Sequence, residues 1–162
     1  DQICQTIDAW RAKFPNSQAR SAVLMALRTV QDADGYLSDE ALENVAAYLN
    51  IPLAQVSEVV SFYSMYRRAP EGQHTLAVCT SLSCHLCQAH GLLAHLKTRL
   101  GVGPGETTQD GRFTVKVAEC LAACGGAPAV LVDDQHYHEC VTPAALDALI
   151  DELSESKDTA DG

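Results

Sequence analysis

Two short cysteine pairs are the residues of this chain with the clearest chemical potential. Cys79 and Cys84 are spaced C-x4-C, and Cys120 and Cys124 are spaced C-x3-C. Because four thiolates on two loops can close around one compact thiophilic centre, this grouping indicates metal ligation rather than scattered buried thiols. Small residues flank both pairs and would let the main chain curl closely around sulfur with its N–H groups pointing inward. We therefore predict a [2Fe–2S] cluster held by these four cysteines.

Three other interpretations of the cysteines stay open. Structural zinc also accepts four cysteines, and its usual spacings are close to those seen here. Cys84 and Cys87 form a C-x-x-C pair at the start of a predicted helix, which is typical of thiol–disulfide sites. Cys79, Cys84 and Cys87 together match the first three ligands of plant-type ferredoxins. Because the last two schemes leave at least one cysteine of the second pair without a role, the two paired loops are favoured.

The remaining potential ligands have simpler interpretations. Cys4 lies on a predicted helix and Cys140 on a predicted strand, and each is expected to be a small buried side chain. His85, His90 and His95 lie on or near a predicted helix and are expected to be exposed polar residues. The sequence offers no catalytic base or nucleophile, and no glycine-rich phosphate loop after a strand. Chemistry on a substrate would therefore belong to a partner.

Composition restricts the class of protein. Of the 162 residues 47% are hydrophobic, no apolar run is long enough to cross a bilayer, and no segment has the pattern of a signal peptide. Seven cysteines, an odd number grouped in short pairs, favour metal ligation in a reducing compartment over a disulfide framework. The net charge of −10 argues against a nucleic-acid partner, because phosphate binding draws its affinity from Lys and Arg.

Helical periodicity in residues 1–70 predicts an N-terminal helical bundle or arm of four helices. The first covers residues 1–14, and the fourth is expected to continue through Tyr63 to Tyr66. The end of this fourth helix has more Tyr and Phe side chains than a small bundle needs for its core. We therefore expect the arm to supply much of the contact with a partner. The residues predicted to mark helix ends are Pro15, Asn16 or Ser17, Gly35, Ser38 and Pro52.

Residues 71–153 change to an alternation of strand and helix patterns, which predicts an α/β domain of thioredoxin-like type. The first two strands end next to Cys79 and Cys120. Both cysteine loops should therefore leave the same edge of the sheet, the usual place for sites in open α/β sheets. Residues 154–162 are polar and small and are predicted to be a disordered tail. The predicted elements are strands at 74–80, 113–118, 128–132 and 136–141, and helices at 88–100 and from 142 onward.

These residues resemble a known family, the small thioredoxin-like [2Fe–2S] subunits of NADH:quinone oxidoreductase (complex I). The likeness extends over nearly the whole chain. The family's four cluster ligands fall at positions matching Cys79, Cys84, Cys120 and Cys124, and Cys87 is an addition to that pattern. The stretches that carry the resemblance are VVSFYS at 59–64, the C-x4-C pair, TTQDGRFT at 107–114, ECLAAC at 119–124, AP at 127–128 and TPA at 142–144.

The resemblance implies an electron-transfer subunit without catalytic residues of its own. Its partner in the family is the subunit that binds NADH and FMN, and the cluster lies close enough to the flavin to exchange one electron. Such a subunit belongs to a peripheral arm on the cytoplasmic, inner face of the bacterial cell membrane. Related small subunits occur in NAD-dependent formate dehydrogenases and bidirectional hydrogenases, and a zinc-stabilised docking module is the alternative from another functional class.

Overall fold

The computed structural model describes residues 2–155, apart from the side chains of residues 16, 17 and 19. The chain divides between Pro70 and Glu71 into two compact units. The first unit is helical, and the second combines helices with a four-stranded sheet. The predicted α/β class with a helical N-terminal part is therefore confirmed. None of the helices within residues 2–155 has the length and apolar content needed to cross a bilayer.

The first unit contains four α-helices around one apolar core. Their ends follow local signals: the Ser38 hydroxyl accepts the Ala41 N–H at 3.1 Å, and Gly35 ends a helix in the left-handed region at φ 81°. The largest fully buried side chains of this core are leucines and a valine. The helices are α1 (Gln2–Arg11), α2 (Val23–Asp34), α3 (Asp39–Leu49) and α4 (Leu53–Phe62), with a 3-10 helix at Asn16–Ala22 before α2.

Several predicted boundaries in this unit are wrong. Helix α1 ends at Arg11 rather than at residue 14, and the second helical segment begins as a 3-10 helix. Helix α4 ends at Phe62, so Tyr63 and Tyr66 lie beyond it. Tyr66 is nevertheless buried, because its hydroxyl donates to the Leu24 carbonyl at 2.8 Å. Because this hydrogen bond joins the segment after α4 to α2, the local sequence pattern of α4 could not predict it.

The second unit is built on a sheet with the strand order β2-β1-β3-β4. Strand β1 (His74–Cys79) is parallel to β2 (Phe113–Ala118), with Cys79 opposite Ala118. Strand β3 (Val130–Val132) is antiparallel to both β1 and β4 (His136–His138). Because β1 and β2 are parallel and in register at their last residues, the two cysteine loops leave the same edge of the sheet, as predicted.

Three helices complete this unit: α5 (Leu82–Leu86), α6 (Ala89–Leu100) and α7 (Pro143–Glu155). Helix α6 contacts both β1 and α7. The Thr142 hydroxyl accepts the Ala145 N–H at 3.2 Å at the start of α7, the cap expected from sequence. The core joins one face of the sheet to α6 and α7. Its fully buried members include Leu76, Val78, Val115, Val130, Leu96 and Leu146.

The structure corrects several sequence predictions for this unit. Helix α5 is absent from the predicted elements, and the two hairpin strands are three residues each, shorter than expected. They are short at the ends away from the turn, since β3 begins at Val130 and β4 ends at His138, two residues before Cys140 with its positive φ. Helix α7 continues through Ser154 to Glu155, so these two residues do not belong to a disordered tail. The rest of the predicted tail, residues 156–162, lies outside the described residues.

Candidate metal centre

The first cysteine pair is buried at the end of β1. Cys79 is the last residue of the strand and is 2% exposed, and Cys84 lies within α5 and is 1% exposed. Helix α5 is only five residues long, and it begins directly after Ser81, so it turns the chain back beside the strand end. The Cys79 Sγ lies 3.3 Å from the Ser81 Oγ. Two sulfur atoms are thereby held under the protein surface at the predicted edge of the sheet.

Hydrogen-bond donors around Cys79 favour its thiolate. Burial opposes the charged form, but the donors outweigh it and hold the pKa of Cys79 below its ordinary value. They are the Ser81 hydroxyl and N–H, the Leu121 N–H and the Cys84 thiol. Burial, together with the neighbouring Cys79, raises the pKa of Cys84, and the Ala129 N–H opposes that rise. The donors therefore favour the deprotonated form of Cys79, which is the form of cysteine that binds metal.

The second pair lies in the loop after β2, at the surface. Cys120 and Cys124 are both exposed. The Ala122 N–H donates to the Cys120 Sγ at 3.4 Å, and Ala122 itself has a positive φ of 56°, which bends the loop tightly around that sulfur. The neighbouring Leu121 N–H serves Cys79 in the other loop. Backbone of the second loop therefore reaches the sulfur of the first.

The structure thus brings together the first pair and the backbone of the second loop, while the second pair remains at the surface. Within residues 2–155, no three Cys, His, Asp or Glu side chains are grouped so that they could hold a metal ion. A structural zinc site would require four ligands around one ion. A [2Fe–2S] cluster instead distributes its four cysteines over two irons, so it requires two pairs of sulfur atoms. Inward N–H donors and two cysteine loops at one sheet edge fit the requirements of such a cluster.

The other potential ligands lie outside this arrangement, and one prediction among them is wrong. Cys140 is exposed rather than buried, because it follows β4 in a left-handed conformation with φ 51° instead of continuing the strand. Cys87 is exposed at the end of α5, and Cys4 is half-buried on α1. His95 is not simply an exposed polar residue, because its Nε2 lies 2.8 Å from the Asp147 Oδ1.

Sequence reasoning missed the residues that act through their backbone. The N–H groups of Leu121 and Ala129 serve the sulfur atoms of Cys79 and Cys84, yet neither side chain has any special chemistry. The small residues around the cysteines were the only available signal, since they indicate a tightly turning main chain without saying which N–H points where. Helix α5 was missed because a helix of five residues is too short to show a period.

Comparison with known proteins agrees with this geometry. The family model of the thioredoxin-like [2Fe–2S] ferredoxins matches residues 7–154. The chain is 42% identical over 146 residues to "NADH-quinone oxidoreductase subunit 2" of Thermus thermophilus, covering 90% of this chain and 81% of the relative. It is 41% identical over 147 residues to an NADH-quinone oxidoreductase subunit of Rhizobium meliloti, covering 91% of this chain and 86% of that relative.

A solved structure shares the fold at lower sequence identity. An NAD+-reducing [NiFe]-hydrogenase in its air-oxidized state superimposes with a TM-score of 0.70 at 23% identity, over 83% of this chain and 24% of the hydrogenase chain. This chain therefore spans about a quarter of that chain's length, and the likeness concerns the fold alone. The match of the family model over almost the entire chain, with both cysteine loops included, shows that this protein belongs to the thioredoxin-like [2Fe–2S] ferredoxin family.

Proposed function

We propose that this chain is the electron-transfer subunit of a respiratory NADH:quinone oxidoreductase and lies next to the subunit that carries NADH and FMN. Relatives about 40% identical over most of their length bear the names of subunits of that complex. The single observation that carries the proposal is the parallel pairing of β1 with β2, which delivers both cysteine loops to one sheet edge. We further propose that the complex places this subunit peripherally, on the cytoplasmic side of the bacterial membrane.

The four cysteines are proposed as the ligands. Cys79 and Cys84 are the buried pair, and Cys120 and Cys124 are the exposed pair. When bound, a [2Fe–2S] cluster accepts and returns single electrons. The polypeptide contributes a fixed electrostatic surrounding, because N–H groups aimed at ligand sulfur favour negative charge there. Those N–H groups belong to Ser81, Leu121 and Ala129. Burial of the first pair excludes water from one side, and the exposed second pair leaves the other side accessible to a redox partner.

The proposal is tested on the intact protein purified anaerobically. We expect about two irons and two sulfides per chain and a spin-half EPR signal at low temperature after reduction with dithionite. Stoichiometric zinc in a colourless, EPR-silent sample would instead establish the zinc-stabilised docking module. The hydrogenase likeness at 23% identity favours no second parent complex, since it concerns the fold alone.

In place of the helical arm expected from the sequence, we propose that the electron partner binds over α5, because this helix belongs to the first cysteine loop and exposes two leucines. Leu82 and Leu86 are 75% and 70% exposed and lie four residues apart, on one face of the helix. Residues 72–105 contain no Asp or Glu, although the whole chain carries a net charge of −10. Burying a carboxylate without a partner is costly. Docking on this segment would bury leucine side chains and would not bury any carboxylate of residues 72–105.

Replacing Leu82 and Leu86 together by serine is expected to weaken binding to the FMN-carrying subunit by about 10-fold or more, because two leucines lose their burial in the complex. Isothermal titration calorimetry measures the effect. Tyr137→Ser is the matched control, since Tyr137 is 55% exposed on β4, the strand furthest from β2 in the sheet. If the leucine variant binds normally while Phe62→Ser weakens binding, the helical arm is the contact surface instead.

The division between Pro70 and Glu71 supports a further part of this proposal. We propose that residues 1–70 form a helical domain and residues 71–153, with the end of α7, form the cluster domain. Each unit has its own cluster of buried apolar side chains, which is the usual property of a separate domain.

A further inference from the structure

Two exposed cysteines outside the proposed ligand set line the same groove of the second unit. The groove has a volume of about 740 Å³, runs along α6 and is lined by both Cys87 and Cys140. Both are free and exposed. Its remaining lining is largely apolar or small, which includes Leu92, Val141 and Pro143. A shared concave surface distinguishes this pair from a lone surface cysteine.

The contacts between α6 and α7 show that the two cysteines lie toward the same end of the groove. His95 pairs with Asp147 at 2.8 Å and Arg99 pairs with Asp151 at 2.7 Å, so both pairs join residues 52 positions apart. The two helices therefore run in the same direction. Cys87 lies just before the start of α6 and Cys140 just before the start of α7. Because the two helices are parallel, both cysteines lie near the same end of the groove.

Backbone hydrogen bonds attach the two cysteines to different segments of the unit. The Cys87 N–H donates to the Ser83 carbonyl at 3.0 Å, which attaches it to α5 and the first cysteine loop. The Cys140 N–H donates to the Gly126 carbonyl at 2.7 Å, which attaches it to the end of the second cysteine loop. The Cys140 φ of 51° turns its residue out of the hairpin strand. Each thiol is therefore carried by a segment that belongs to one of the two cluster loops.

We propose that Cys87 and Cys140 form a redox-active dithiol that closes to a disulfide across this groove. The oxidant is a low-molecular-weight disulfide such as glutathione disulfide. One protein thiolate attacks it, forms a mixed disulfide and releases one glutathione thiolate; the second protein thiolate then attacks the protein sulfur and releases the second glutathione. Two protein thiols are oxidised and one glutathione disulfide is reduced to two glutathione molecules. The resulting bond links the loop of Cys84 to the segment that follows Cys124.

The test uses the intact, cluster-loaded protein under anaerobic conditions with glutathione disulfide as the probe. After alkylation of remaining thiols, proteolysis on the carboxyl side of Glu139 isolates Cys140 in a peptide without another cysteine. We expect this peptide to be recovered joined to the one that contains Cys87, lighter by two hydrogen atoms than the separate thiols, and released by dithiothreitol. Fragment ions locate the bond, and the protein is expected to remain monomeric without reductant.

Three variants make the result specific. In Cys140→Ser we expect Cys87 to be trapped as a stable mixed disulfide with glutathione, and in Cys87→Ser we expect the same of Cys140. Cys4→Ser is the matched control, since Cys4 lies on α1 of the other unit, and the cross-link should form unchanged. Separate recovery of the two peptides from the wild type, or a bond between two molecules, would overturn the proposal.

The Cys87–Cys140 dithiol is a property separate from electron transfer, and separate measurements test each of them. If Cys87 resists alkylation in the loaded protein before any oxidant is added, it is occupied and the dithiol proposal is overturned. Iron, sulfide and the EPR signal are measured on the same sample, so loss of the electron-transfer proposal is detected independently. A protein with a normal EPR signal and no Cys87–Cys140 bond retains its proposed function and refutes only the dithiol.

Discussion

Cys124→Ala is expected to abolish stable cluster binding, while Cys87→Ala is expected to retain it. Alanine is chosen because a serine oxygen could replace sulfur as an iron ligand. Even an outer contact of a metal ligand is worth about 10- to 100-fold in metal affinity, so removing a ligand should cost at least as much. Because Cys124 is exposed and lies outside the apolar core, its loss should leave the fold intact.

Iron and sulfide content after anaerobic purification measures this effect, and circular dichroism checks the fold. Cys87 is the matched control because it is also an exposed cysteine and lies only three residues from the proposed ligand Cys84. The plant-type scheme predicts the reverse role for Cys87. Loss of iron in Cys87→Ala together with normal iron in Cys124→Ala would therefore overturn the proposed ligand set.

Gly72→Ala is expected to lower the free energy of unfolding of the second unit by about 1 to 3 kcal/mol, the usual cost of forcing an atom into packed structure. A Cβ at this position would lie 2.8 Å from the carbonyl carbon and 2.9 Å from the nitrogen of Phe113. These are backbone atoms of β2, so they cannot rotate away. The Gly72 N–H also donates to the Thr114 hydroxyl at 2.6 Å, which holds the glycine against the strand.

Urea unfolding followed by amide hydrogen exchange in β1 and β2 measures this loss, because those amides report on the second unit. Gly91→Ala is the matched control. Gly91 lies within α6 with its nearest atom, the Gln88 Cβ, 3.9 Å from the new methyl group, so alanine should stabilise the helix by about 0.5 to 1 kcal/mol. Equal stability of Gly72→Ala and the wild type would show that β2 can move away from residue 72.

Sequence alone predicted the elements that have a strong local signal. The alternation of Phe113, Val115 and Val117 gave the bounds of β2 correctly, and Ser38 marked the start of α3. Parallel strands place their carboxyl ends at one edge, so the common origin of both cysteine loops was also predictable. The chemical types of the proposed ligands and their spacing were visible in the same way.

The rest depends on contacts between distant segments, which no local pattern records. Gly72 has the sequence context of a polar break, yet its lack of a side chain is required by β2, some forty residues later. Cys140 has the sequence context of a strand residue, but the positive φ there ends the hairpin. The thiolate character of Cys79 depends partly on Leu121, whose contribution is a main-chain N–H that any residue other than proline could supply.

The core of the second unit is held together largely by apolar side chains. Leu76, Val78 and Val115 close the sheet against α6 and α7 through hydrocarbon contacts, and the parallel strands are joined by their own hydrogen bonds. In small zinc domains, by contrast, metal binding itself supplies the folding free energy. The core of this unit is therefore made of side chains other than Cys120 and Cys124, and these two cysteines lie exposed at the surface.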